Sequence, residues 1–144
     1  VSYIGKPDEL LALARKADVI VSCVPLTPQT TGIYDTAFFA ALKPTALFVN
    51  VARGGSVVTD ALVKALNDRR IGGAGLDVRE IEPPPKPGPL AELDNVILLP
   101  HVGAFTVEAQ VRTFEAVCTD VSRVLAGKPA FNGVNFPTPR RTGS

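Results

Sequence analysis

Four residues of this 144-residue chain are of types suited to proton and carboxylate chemistry: Arg53, Asp77, Glu82 and His101, the one histidine. Arginine offers a planar fork that matches a carboxylate with two hydrogen bonds. Histidine is the side chain best suited to exchange a proton near neutral pH. A carboxylate beside it fixes the ring's orientation and stabilises its protonated form. Arg, His and an acid together could hold a 2-oxo acid by its carboxylate and protonate its carbonyl oxygen as a hydride arrives. The reverse reaction removes the proton from a 2-hydroxy acid. Each residue also has a plain reading. An arginine after a strand is often a surface residue, and an acid in a proline-rich loop is usually solvated. An aspartate at a strand end can be a turn cap, and a lone histidine is more often structural. What raises them together is their position.

Every one of them follows a segment that reads as a strand. The run 19–25, VIVSCVP, is β-branched and nearly all apolar, as a strand covered on both faces should be. The run 46–51, ALFVNV, is a second such strand, and Arg53 comes two residues after it, ahead of Gly54 and Gly55. The small-residue strand 72–78, GGAGLDV, ends at Asp77, and Glu82 lies in the loop beyond. NVILLP, 95–100, runs directly into His101. Between the strands lie helical patterns at 7–18, 35–43 and 59–70, the last with Ala61, Leu62, Ala65 and Leu66 as its buried stripe. A long helix is expected over 106–126, with Thr106 as N-cap, helical spacing of Val107, Val111, Phe114, Val117 or Cys118, Val121 and Leu125, and Gly127 as terminator. VSYI at residues 1–4 could add a short strand. Alternating strands and helices of this kind mean an α/β fold with a mostly parallel sheet. Ligands bind such sheets beyond the carboxyl ends of the strands, and the four residues share that edge.

Composition bounds the class. Hydrophobic residues make up 46% and charged residues 20%, the balance of a globular domain. A formal net charge of +1 makes no electrostatic case for nucleic acid or an anionic membrane surface. No apolar run approaches a membrane span. Cys23 and Cys118 form no metal-ligand cluster and read as two reduced core residues, which suits a cytoplasmic setting.

Four segments carry a family resemblance: ADVIVSCVPLTPQTTGIYD, LKPTALFVNVARGGSVVTDALVKAL, GGAGLDVREIEPPP and LAELDNVILLPHVGAFTVEA. In order and content they resemble the cofactor domain of the D-isomer-specific 2-hydroxyacid dehydrogenases. The resemblance implies that Arg53 binds the substrate carboxylate and carbonyl and that His101 is the acid/base. It makes Glu82, which directly precedes a proline, the partner carboxylate in preference to Glu80. It also implies a cofactor, NAD or NADP, lined by Cys23, Val24, Pro25, Val51, Ala52, Arg53, His101, Gly103 and Ala104. Asp77 would meet the nicotinamide carboxamide, and Thr31 is a further cofactor-side candidate. The implied partner is a small 2-hydroxy or 2-oxo acid, and the intact enzyme is expected to be a cytoplasmic homodimer.

The family's G-x-G-x-x-G fingerprint, which comes ahead of these segments, does not occur in this sequence; GGAG at 72–75 belongs to a strand. The expectation is therefore a partial doubly wound, Rossmann-like sheet, missing the N-terminal strands with the glycine fingerprint. Residues 1–127 would form the C-terminal portion of the NAD(P)-binding domain. Residues 128–144 would form a tail leading back toward a substrate domain. The strand 19–25 is expected to present an edge that VSYI or another chain covers, and the chain alone is expected to associate through it. A reading from another class keeps the fold but not the chemistry: a nucleotide-sensing or protein-interaction module, or an inactive fragment.

Overall fold

The computed structural model describes residues 3–134. Two compact units divide at Gly103 and Ala104, and each is described by itself. The first unit contains helix α1 (Leu10–Lys16), strand β1 (Val19–Ser22), helix α2 (Thr36–Ala41), strand β2 (Leu47–Asn50), helix α3 (Thr59–Asn67), and strands β3 (Gly73–Leu76) and β4 (Val96–Leu98). A single 3-10 turn, Pro7–Glu9, leads into α1. The four strands form one parallel sheet in the order β1-β2-β3-β4. Rows such as Ile20, Phe48, Ala74 and Val96 run across it in register.

Parallel neighbours need crossovers, and α2 and α3 serve the connections from β1 to β2 and from β2 to β3. Asp35 starts α2 by accepting the Phe38 N–H at 2.9 Å. α1 packs on α2 and α2 on α3, so one layer of helices covers one sheet face. The core lies in that layer. Phe38, Phe39 and Phe48 are fully buried, and with Tyr34 they meet edge to face at centroid separations of 4.8 to 5.9 Å. Ala61, Leu62, Ala65 and Leu66 of α3 are buried, as their spacing requires.

Side chains alternate between sheet faces, so the residues flanking this row point the other way. There the apolar character is not matched by burial. Val19 and Val21 are 51% and 54% exposed, and Leu47 and Ile97 are exposed too. The expectation that β1 is covered on both faces is thus corrected: it is covered on one. Tyr3 and Ile4 belong to no strand, and Val1 and Ser2 of the expected strand VSYI lie outside the described residues. No described strand other than β2 pairs with β1, so its outer edge is open. The two cysteines are free, but both are exposed and not core residues. Cys23 lies just past the last paired residue of β1, where the chain leaves the sheet.

The second unit is built on helix α4 (Val107–Leu125). Thr106 caps it, its hydroxyl accepting the Ala109 N–H at 3.1 Å, and Gly127 ends it with φ 71°. The chain then folds back on the helix. Asp120 accepts the N–H groups of Phe131 and Asn132, and the Arg123 guanidinium lies 3.6 Å over the Phe131 ring. The expected tail from Lys128 is described only to Val134; residues 135–144 lie outside the described residues.

Candidate active site

The carboxyl ends of β2, β3 and β4 each deliver part of the site. After β2, the turn that carries Arg53 is shaped by Asn50, a polar residue buried completely at the end of an apolar strand. Its side-chain oxygen accepts the Ala52 N–H at 3.0 Å and its amide donates to the Arg53 carbonyl at 3.1 Å. The Ser56 hydroxyl donates to that same carbonyl at 2.7 Å. With its backbone held this way, Arg53 is left exposed. Its guanidinium makes one local bond, to the Ala52 carbonyl at 2.7 Å. Asn50 and Ser56 have no place in the sequence reading above. The signal for Asn50 was present, because a lone amide inside LFVN has no reason to be buried unless it bonds something.

Glycine 54 then brings this turn against the loop after β3. A Cβ at that position would lie 1.9 Å from the Arg79 carbonyl carbon and 2.3 Å from the Glu80 nitrogen. Only glycine permits the approach, which ties the Arg53 turn to the loop carrying Glu82.

Glu82 sits between two donors. One carboxylate oxygen accepts the Arg79 N–H, and the other lies 2.6 Å from Nδ1 of His101. Glu80, two residues before it, points elsewhere and accepts the Thr59 hydroxyl at 3.3 Å. Burial works against ionising Glu82. The Arg79 N–H, the His101 hydrogen bond and the nearby positive charges of His101 and Arg79 together outweigh it and hold the carboxyl below the usual glutamate range. With Glu82 ionised, Nδ1 of His101 carries the proton shared with it, and Nε2 is the ring nitrogen free to meet a ligand.

His101 follows β4 at an unusual backbone angle, φ 59°, in the left-handed region. Its N–H donates to the Asp77 carbonyl at 2.8 Å. The Asp77 side chain, 4% exposed, accepts the Val102 N–H at 2.8 Å on one oxygen and the Gly103 N–H at 2.9 Å on the other.

The structure therefore joins Glu82, His101, Asp77 and Gly103 through direct bonds, and brings the Arg53 turn to the Glu82 loop through Gly54. Cys23, Val24, Pro25, Val51, Ala52 and Arg53 line a shared groove beyond β1 and β2. Its walls mix apolar side chains with the Arg53 turn and could take a flat ring. A glycine-rich G-x-G-x-x-G cradle for a pyrophosphate does not occur in this sequence. Thr31 does not line the groove, and its hydroxyl donates to the Thr27 carbonyl at 2.8 Å. Ala104 opens the second unit.

Residues 2–103 match the family model of the D-isomer specific 2-hydroxyacid dehydrogenase NAD binding domain. The D-3-phosphoglycerate dehydrogenase of Methanocaldococcus jannaschii is 45% identical over 130 residues, which is 90% of this chain and 25% of that one. The glyoxylate reductase of Thermofilum pendens is 42% identical over 120 residues, 83% of this chain and 35% of that one. Among solved structures, the NADPH-dependent glyoxylate/hydroxypyruvate reductase of Sinorhizobium meliloti, in complex with NADP and malonate, matches with a TM-score of 0.79 and 34% identity. That match covers 85% of this chain and 38% of the other. This chain thus spans about a quarter to two-fifths of the length of these three relatives. It belongs to the NAD-binding domain family of the D-isomer specific 2-hydroxyacid dehydrogenases.

Proposed function

We propose that this chain supplies the substrate-carboxylate and proton-transfer residues of an NAD(P)-dependent D-2-hydroxyacid dehydrogenase. The observation that carries the reading is the 2.6 Å contact of Glu82 with Nδ1 of His101, on the sheet edge that also bears Arg53. In this reading Arg53 grips the carboxylate of a 2-oxo acid with its fork and polarises the neighbouring carbonyl. His101 donates its Nε2 proton to the carbonyl oxygen while Glu82 stabilises the imidazolium and holds the ring in place. NAD(P)H, when bound, would supply the hydride that the carbonyl carbon takes up as the oxygen is protonated, leaving a 2-hydroxy acid and oxidised nicotinamide. The groove of Cys23, Val24, Pro25, Val51 and Ala52 would seat the nicotinamide. Asp77, Gly103 and Ala104 would lie on its carboxamide side, with Thr31 more remote. Residues 1–127 would belong to the cofactor domain and residues 128–144 to a tail that leaves it. The intact enzyme is read as a cytoplasmic homodimer.

The test is kinetic. In the intact protein, His101→Ala should lower reduction of glyoxylate or hydroxypyruvate by about 10²- to 10⁴-fold. NADH or NADPH binding, followed by nicotinamide fluorescence, should stay within about twofold on the energy scale of a lost proton donor alone. Retained turnover in the variant would sink the assignment. A native protein that binds nucleotide but turns over no 2-oxo acid would favour the nucleotide-sensing module instead.

A further inference from the structure

We propose that Asp77 and Gly103 act together as a clasp that positions His101. The proposal rests on the reading of His101 as the proton donor. Three hydrogen bonds converge on one aspartate. Its carbonyl takes the N–H of His101 at 2.8 Å, and its carboxylate oxygens take the next two N–H groups, of Val102 and Gly103, at 2.8 and 2.9 Å. Between them they define the backbone on both sides of His101, whose φ of 59° lies in the left-handed region that L-residues adopt uncommonly.

The origin of that backbone lies in the sheet. β3 and β4 pair in register as far as Leu76 and Leu98, and Leu99 donates to the Leu76 carbonyl. Continued, the ladder would carry His101 to Val78. Instead His101 bonds the Asp77 carbonyl, one residue short. The slip turns the chain at His101, and the Asp77 carboxylate holds the turned segment. The imidazole then meets Glu82 across 2.6 Å.

Gly103 is the complementary half. A Cβ there would lie 2.8 Å from the Asp77 carboxylate oxygen that accepts its N–H. The oxygen would have to rotate away, breaking the clasp and leaving the strands intact. Asp77 would thus serve proton transfer through His101 as a positioning residue, whatever it also offers the cofactor.

Two variants test this, Asp77→Asn and Gly103→Ala. Asparagine turns one acceptor into a donor that faces a backbone N–H, and alanine displaces the acceptor while the fold stays whole. Because the chain has a single histidine, 15N and proton NMR of the imidazole read its environment without ambiguity. In the native chain the Nδ1 proton shared with Glu82 should resonate far downfield. Both variants should lose that signal while the backbone amide spectrum stays dispersed. An aspartate that served stability alone would lower Tm and leave the signal in place in the folded molecules. In the intact protein, kcat should fall on the order of 10²-fold, the effect of a misplaced reacting group.

The proposal is overturned if Gly103→Ala, or a folded Asp77→Asn, keeps the native imidazole signal. It is equally overturned if Asp77→Asn raises KM for the cofactor with kcat unchanged. Should Asp77→Asn fail to fold, Gly103→Ala decides. If the signal is lost as expected but native protein reduces no 2-oxo acid, the clasp stands and the dehydrogenase reading fails.

Discussion

Arg53→Lys keeps the charge of Arg53 and removes its fork, so the variant separates two ways of holding a carboxylate. The Ala52 carbonyl already occupies one guanidinium nitrogen, which leaves the remaining donors facing outward from an exposed position. If they receive a substrate carboxylate in two parallel bonds, Arg53→Lys should lower kcat/KM for glyoxylate on the order of 10²-fold, about 2.7 kcal/mol. Steady-state kinetics check this, and a change below about threefold contradicts the bidentate grip. Glu82 makes a prediction about pH. Its carboxyl is held below the usual range, so it contributes stability that is present above its unfolded value, about pH 4.3. That stability is lost as pH falls through the lower folded value. Urea unfolding of native chain and Glu82→Gln should therefore converge as pH drops from about 5 to about 3, because glutamine has no proton to take up. Curves that stay parallel would show that the contacts of the Glu82 carboxylate with the Arg79 N–H and His101 add nothing to the fold.

At the scale of elements, the joint between the Arg53 turn and the Glu82 loop is the sharpest constraint. In Gly54→Ala the new methyl meets backbone at 1.9 Å, with no flexible side chain to yield. The expected cost is about 1–3 kcal/mol, seen as a lower Tm, together with loss of activity beyond the loss of folded protein. Full activity in the folded fraction would mean that the two loops move independently. Phe48→Ala, in the centre of the aromatic cluster, should cost about 3–5 kcal/mol and leave the site chemistry of the surviving fold unchanged. These elements were legible to different degrees. The stripe Ala61, Leu62, Ala65 and Leu66 reports its burial directly, because a helix repeats its buried face every three to four residues. The strands are also legible, though up to one residue too long at the start and one to three at the end, because the apolar run continues past the last paired residue, as at Val51 and Leu99. The clasp is not. It joins residues 24 to 26 apart, and it depends on the left-handed angle of His101, which no glycine marks. Asn50 is intermediate, visible as an oddity but with partners only the folded turn defines.

The sheet of the first unit has one covered face and one exposed one. Helices α1 to α3 seal the side of Phe48. Val19, Val21, Leu47 and Ile97 remain exposed on the other side, and among the described residues nothing pairs with the outer edge of β1. An apolar surface beside an open parallel edge promotes association. The chain expressed alone should sediment as an oligomer, and Val21→Lys, which sets a charge on that face beside the edge, should shift it toward monomer. A monodisperse native monomer contradicts this expectation. The same topology explains why site residues distant in sequence were legible as a set. Parallel strands deliver their carboxyl ends to one edge, so Arg53, Asp77, Glu82 and His101 share it however far apart they lie in the chain. The exposure of Val19 and Val21 was not legible in the same way, because an apolar run announces what a strand can bury and not what lies against it.

The most direct measurement of the account is oxidation of the two enantiomers of one 2-hydroxy acid by the intact protein with NAD or NADP, native and His101→Ala side by side. The account predicts turnover of the D enantiomer by the native protein, about 10²-fold or more over the L enantiomer, and its loss in the variant with nucleotide binding retained. Equal rates for native and variant would contradict the role given to His101, and turnover of the L enantiomer alone would contradict the substrate class.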